Sequence, residues 1–145
     1  MRALLDVNVL LALLDPEHSF HDRAHNAWIE ICGSGGWSSC PITQNGVLRI
    51  LSNENYPGSS DFSKASVFSC LAEMVENSDH EFWADEISLL DTSLFDPNSI
   101  FGHKQLTGVY LLGLARHNGG RFVTFDQRVP TGALRHSTAE NLRVI

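Results

Sequence analysis

The 145-residue chain is short of the features that mark several large protein classes. No apolar stretch reaches the roughly 18 residues of a membrane span, and the N-terminus lacks the basic region and cleavage pattern of a secretory signal. A cytoplasmic protein with no membrane association is expected. Cysteine is scarce: Cys32, Cys40 and Cys70 are odd in number and fit no CxxC spacing. That argues against a disulfide framework or a zinc motif and for reduced structural thiols. Basic residues are also few. Ten Lys and Arg against 17 Asp and Glu give a formal net charge of -7, the reverse of the basic face on a general nucleic-acid coat protein. Repeats, linkers and low-complexity segments are absent. With 43% hydrophobic residues, the chain is expected to form one domain over 1–145 with a sizeable core.

What the chain does have is two apolar strands that each run into a carboxylate. The first is Arg2-Ala3-Leu4-Leu5-Asp6, followed by Val7-Asn8-Val9-Leu10. The second is Arg121-Phe122-Val123-Thr124-Phe125-Asp126, preceded by the helix-ending Gly119-Gly120. A buried strand ending on aspartate puts the charge at the carboxyl edge of a sheet, where α/β proteins build their sites. Side by side, these strands bring Asp6 and Asp126 into one cleft, and converging carboxylates suit a hard divalent cation.

Between the two strands the pattern alternates. Helices are predicted over 9–14, 18–31, 44–52 and 103–117, with a further helix capped by Ser60 or Asp61 and running to Glu76. Strands are predicted at Trp37–Cys40, Glu81–Ala84 and Leu142–Ile145. This alternation predicts an α/β fold with a parallel sheet wrapped by helices.

Three ordered motifs carry a family resemblance. They are Leu4-Leu5-Asp6-Val7-Asn8-Val9-Leu10, the middle run from Cys40-Pro41-Ile42-Thr43-Gln44-Asn45-Gly46 to Ile50, and Gly102-His103-Lys104-Gln105-Leu106-Thr107 leading to Thr124-Phe125-Asp126. In this order they resemble the PIN domain, in particular the VapC-like ribonuclease toxins of toxin–antitoxin pairs. The resemblance implies a three-layer fold with a parallel sheet of four to five strands. It also implies RNA hydrolysis with Mg2+ or Mn2+, a cognate antitoxin covering the cleft, and a homodimer. Net acidity is compatible with RNA cutting, because bound metal ions offset negative charge at the cleft. On this pattern Asp6 and Asp126 hold the metal, while Asn8, Gln44 and Thr107 arrange its surroundings. Two positions depart from the family: Gln44 stands at the usual glutamate, and Gly108 at the usual late aspartate. Weak metal affinity follows, since affinity depends on ligand charge. The rival reading is a PIN-fold protein that no longer cleaves and acts by binding antitoxin or RNA.

Other polar residues have plainer readings beside the functional ones. His103, Arg49 and Arg128 are candidates for contact with RNA or a partner, against ordinary surface residues. His18, His21 and His25 lie near one helix face, but no fourth ligand is suitably spaced, so a solvated surface is preferred to zinc. Trp28, Trp37 and Trp83 are read as core or subunit-interface residues, because their spacing makes no base-stacking platform.

Overall fold

A computed structural model describes residues 1–58 and 63–145. Five short strands, β1 (Ala3–Leu5), β2 (Trp37–Ser39), β3 (His80–Phe82), β4 (Arg121–Thr124) and β5 (Leu142–Val144), form one parallel sheet in the order β3-β2-β1-β4-β5. Five α-helices surround it: α1 (Val7–Leu14), α2 (His21–Gly33), α3 (Pro41–Leu51), α4 (Lys64–Glu76) and α5 (Leu106–His117). The expected PIN-like α/β architecture is therefore present.

Strand alternation sorts the core into two layers, because successive side chains leave a strand on opposite faces. Ala3 and Leu5 of β1 and Val123 of β4 pack with residues of α1 to α4, including Leu10, Ile31, Val47 and Leu71. Leu4 and Phe122 face the other way, onto α5 and the segment around Phe95. Trp37 and Trp83 are buried, one in each layer, and Trp28 is partly buried against the first. The three cysteines are unpaired. No helix among the described residues is long and apolar enough to cross a membrane.

Element boundaries differ from the sequence reading where capping chemistry decides them. Helix α3 starts three residues earlier than expected, at Pro41. Proline suits the first helical position, and Thr43 Oγ1 accepts a 3.0 Å hydrogen bond from the Cys40 amide to close a capping box. The expected caps Ser60 and Asp61 lie outside the described residues; the described part of α4 is capped by Ser63, whose hydroxyl accepts from the Ser66 amide at 3.1 Å. Strand β3 falls one residue earlier, over His80–Phe82. Residues 103–105 form a 3-10 turn rather than the start of α5.

One close approach sets the shape near the site. A Cβ built on Gly46 would stand 2.6 Å from a methyl of Val7, so only glycine lets α3 lie this near the start of α1.

Candidate functional site

The chain order explains where a site belongs. From β1 the chain moves outward to β2 and β3, then crosses back to β4 and β5 on the other side of β1. Connections leave β1 and β4 in opposite directions, which opens a crevice at their carboxyl ends. Asp6 follows β1 directly and Asp126 lies two residues beyond β4.

The two aspartates are joined through Thr124, the last residue of β4. Its hydroxyl donates to Asp6 Oδ2 at 2.5 Å and accepts from the Asp126 amide at 3.0 Å and from Asn8 Nδ2 at 3.1 Å. One proton and two lone pairs are thus all used. Asn8 completes the net, its Oδ1 accepting from the Phe125 amide at 3.3 Å. The other oxygen of Asp6 accepts from the Val7 amide at 2.7 Å and caps α1. One carboxylate therefore serves helix and cleft together.

The electrostatics follow from this placement. Burial pushes the Asp6 carboxyl above its ordinary range; hydrogen bonds from Thr124 and Val7 oppose the shift, and the nearby Asp126 charge adds to it. Asp126 goes the other way. Hydrogen bonds from the Arg128 side chain and amide, 3.0 and 2.9 Å long, hold its carboxyl below the usual range. Such an arrangement, a desolvated carboxylate beside a second negative charge, favours a proton or a cation.

The helical side of the cleft is built differently. Gln44 is committed elsewhere: its Nε2 donates to Ser39 Oγ at 2.9 Å, and Ser39 in turn lies 2.8 Å from His80 Nε2. Six residues of α3, Asn45, Gly46 and Arg49 among them, line a cavity of about 530 Å³ together with Val7, Thr107 and Asp85. Gln44 is not among the residues lining this cavity, and neither are Asp6 and Asp126. Gly108 is the third residue of α5, in its first turn rather than its interior. A Cβ there would meet a methyl of Val129 at 3.3 Å, so position 108 faces the loop that follows Asp126. His103 and Arg128 share a second, smaller cavity of about 230 Å³ with Asp126. Gln105 closes this end, accepting from the Phe101 amide at 2.9 Å and donating to the Arg128 carbonyl at 3.3 Å.

Among the described residues, no group of three or more His, Cys, Asp or Glu side chains is arranged to hold a metal ion. His18 and His21 instead make local bonds, to the Phe20 amide and the Ala12 carbonyl.

Two roles in this region are absent from the motif reading, that of Thr124, which stands in the third motif, and that of Asp85. Thr124 is an ordinary β-branched strand residue in sequence and shows its role only once β1 and β4 pair. Asp85 carries the same signal as Asp6 and Asp126, a carboxylate directly after the apolar run Phe82-Trp83-Ala84. That signal was available.

The chain is 46% identical over all 145 residues, the full length of both proteins, to Ribonuclease VapC44 of Mycobacterium tuberculosis. The chain belongs to the VapC ribonuclease family. Ribonuclease VapC39 of the same organism is 39% identical over 133 residues, 92% of this chain and 94% of its own. Ribonuclease VapC38 is 38% identical over 129 residues, 89% and 88% of the two chains. No family model matches the sequence. For a VapC-like PIN domain, the crevice between β1 and β4 is the place to look for chemistry, and the Asp6–Thr124–Asp126 net occupies it.

Proposed function

We propose that this VapC family member is an endoribonuclease toxin of a toxin–antitoxin pair that hydrolyses RNA phosphodiester bonds with a divalent metal, Mg2+ or Mn2+. The observation that carries the reading is the pair Asp6 and Asp126, joined through Thr124 at the sheet's switch point, in a chain whose full-length relatives are named ribonucleases. The donor set suits a hard cation: two carboxylates, of which Asp6 is desolvated and further disfavoured as an anion by the Asp126 charge. Asp6 and Asp126 are the residues that would hold it. When bound, such an ion lowers the pKa of a water and stabilises charge that builds on the phosphate oxygens.

The chain's own residues supply the rest. The Val7 amide and the Thr124 hydroxyl fix the orientation of Asp6. Asn8 holds Thr124, and through it keeps both carboxylates in register. Thr107, at the start of α5, and Arg49, exposed on α3 and without an ion pair among the described residues, face the path that an RNA strand takes across the cavity. His103 and Arg128 flank Asp126 and are suited to phosphate contact. Gln44 donates through Nε2 to Ser39, and in this reading its carbonyl oxygen, a further acceptor, would help arrange the metal's water shell. The missing carboxylate at Gly108 leaves the metal weakly held.

The same reading makes 1–145 one PIN-like domain that works in the cytoplasm, forms a homodimer and is neutralised by a cognate antitoxin. An RNA-cleavage assay with manganese tests the central claim. Cleavage by the chain or by Gly108→Asp, abolished by Asp6→Asn, supports it; no cleavage by either form transfers the case to the binding-only alternative.

A further inference from the structure

The larger cavity touches the proposed metal site only at Val7, the neighbour of Asp6, and its chemistry is different. It encloses about 530 Å³, within the roughly 300–1,000 Å³ of small-ligand pockets. Apolar surface from Pro41, Ile42 and Ile50 lines part of it. Arg49 and Asp85 line it as well, yet among the described residues neither forms an ion pair with the other or with any other group. Opposite charges that share a cavity without pairing leave both available to a ligand that brings hydrogen-bond donors and negative charge together.

Asp85 is exposed and lies near the buried Tyr110, whose pKa burial and the Asp85 charge push up to about 12. An exposed carboxylate has about four acceptor positions that a ligand can take in place of water.

We propose that this cavity receives one base of the RNA strand beside the cleaved bond, that Asp85 selects guanine by its Watson–Crick edge, and that Arg49 pairs with the adjoining backbone phosphate. The proposal rests on the RNA-cleavage reading above. Guanine is the base that offers two neighbouring donors, N1–H and the N2 amino group, to the two oxygens of one carboxylate. Adenine and cytosine offer one amino group each beside a ring acceptor. Uracil offers a single imino donor between two carbonyls, which repel a carboxylate. Unstacked single-stranded bases are read on this edge, and a charge-assisted bidentate pair is the stronger form of such a contact.

The test measures binding without chemistry. Fluorescently labelled hexauridylate, and three versions with one central uracil replaced by guanine, adenine or cytosine, are titrated by anisotropy in EDTA. Guanine is expected to bind at least about fivefold more tightly than uracil, the low end for one bidentate base contact. Asp85→Asn removes that preference. Arg49→Gln weakens all four RNAs by the same factor and lowers the salt slope by about 0.7 to 1. Asp85→Ser, which keeps a small polar group at this exposed position, also removes the preference and serves if Asp85→Asn fails to fold by circular dichroism. No RNA binding, binding without base preference, or a guanine preference that survives Asp85→Asn overturns the inference. Manganese-dependent cleavage measured in parallel separates the two claims: cleavage without base preference removes the base pocket and keeps the nuclease, whereas guanine preference without cleavage does the reverse.

Discussion

The strand-borne wall of the cleft and its helix-borne wall are held by different means. On the strand side, Asp6, Asn8, Thr124 and Asp126 share a closed set of hydrogen bonds between 2.5 and 3.3 Å, anchored on the paired strands β1 and β4. On the helix side, Arg49, Thr107 and Asp85 line an open cavity, and the position that would complete the acids is Gly108. The first wall is preorganised for a cation and the second is adaptable to a substrate. A catalytic centre gains most from fixed geometry around the reacting atoms, whereas target choice varies with what the outer walls present.

The largest expected effect comes from breaking that contrast in both directions at once. Gly108→Asp adds a carboxylate to the soft wall next to the Asp126 loop and is expected to raise RNA cleavage by a hundredfold or more, on the order of 2.7–4 kcal/mol for one transition-state contact. Asp6→Asn in that background abolishes cleavage. Asparagine keeps the Val7 cap of α1 through its one oxygen but cannot also accept from the Thr124 hydroxyl, so the loss of charge comes with a rearranged bond to Thr124. The carboxylate at 108 also falls in the first turn of α5, where a negative charge is favourable by roughly 0.3–1 kcal/mol. It requires only that the Val129 methyl yield slightly. A thermal midpoint that is unchanged or raised, together with faster cleavage, is the expected pair of readings.

Metal affinity sharpens the comparison without RNA. Manganese calorimetry should show tighter binding for Gly108→Asp than for the parent chain; equal affinity removes position 108 from the site. Thr124→Val deletes the hydroxyl that orients both aspartates and is expected to weaken metal binding by about 10- to 100-fold, the usual range for a group that positions a ligand. It also strands the Asn8 amide and the Asp126 N–H, costing about 1–3 kcal/mol of stability. If Thr124→Val binds manganese as the parent does, the rigidity of the strand wall is irrelevant to its chemistry.

These two walls were unequally legible in the sequence. A strand that ends on aspartate fixes both the position and the direction of a side chain, because pairing of β1 with β4 leaves Asp6 and Asp126 one place to be. A helix is less determinate. Gln44 and Gly46 are two residues apart, yet α3 turns Gly46 toward Val7 and Gln44 toward Ser39, and no local pattern says which faces the cleft. Gly108 reads in sequence as a costly interior glycine, but the 3-10 turn at 103–105 shifts the start of α5 so that it lies in the first turn. The PIN-like order of elements was readable throughout, since each apolar run has one period and one bounding turn.

The smallest effects concern the relay that claims Gln44. Gln44 Nε2 donates to the Ser39 hydroxyl, which lies 2.8 Å from His80 Nε2. Burial, with the Arg2 charge acting in the same direction, lowers the His80 pKa below 6.5, and Glu81 opposes this more weakly. The sign follows from linkage. Below pH 6.5 the unfolded chain binds a proton that the native state refuses, so stability is fully present above that pH and falls as the pH drops through it toward the lowered native value. The slope within that window is at most about 1.4 kcal/mol per pH unit for one proton. Thermal denaturation between pH 8 and 5 should show this decline, and His80→Gln, which removes the titrating imidazole, should flatten it. A decline of equal steepness in His80→Gln would place the titrating group elsewhere.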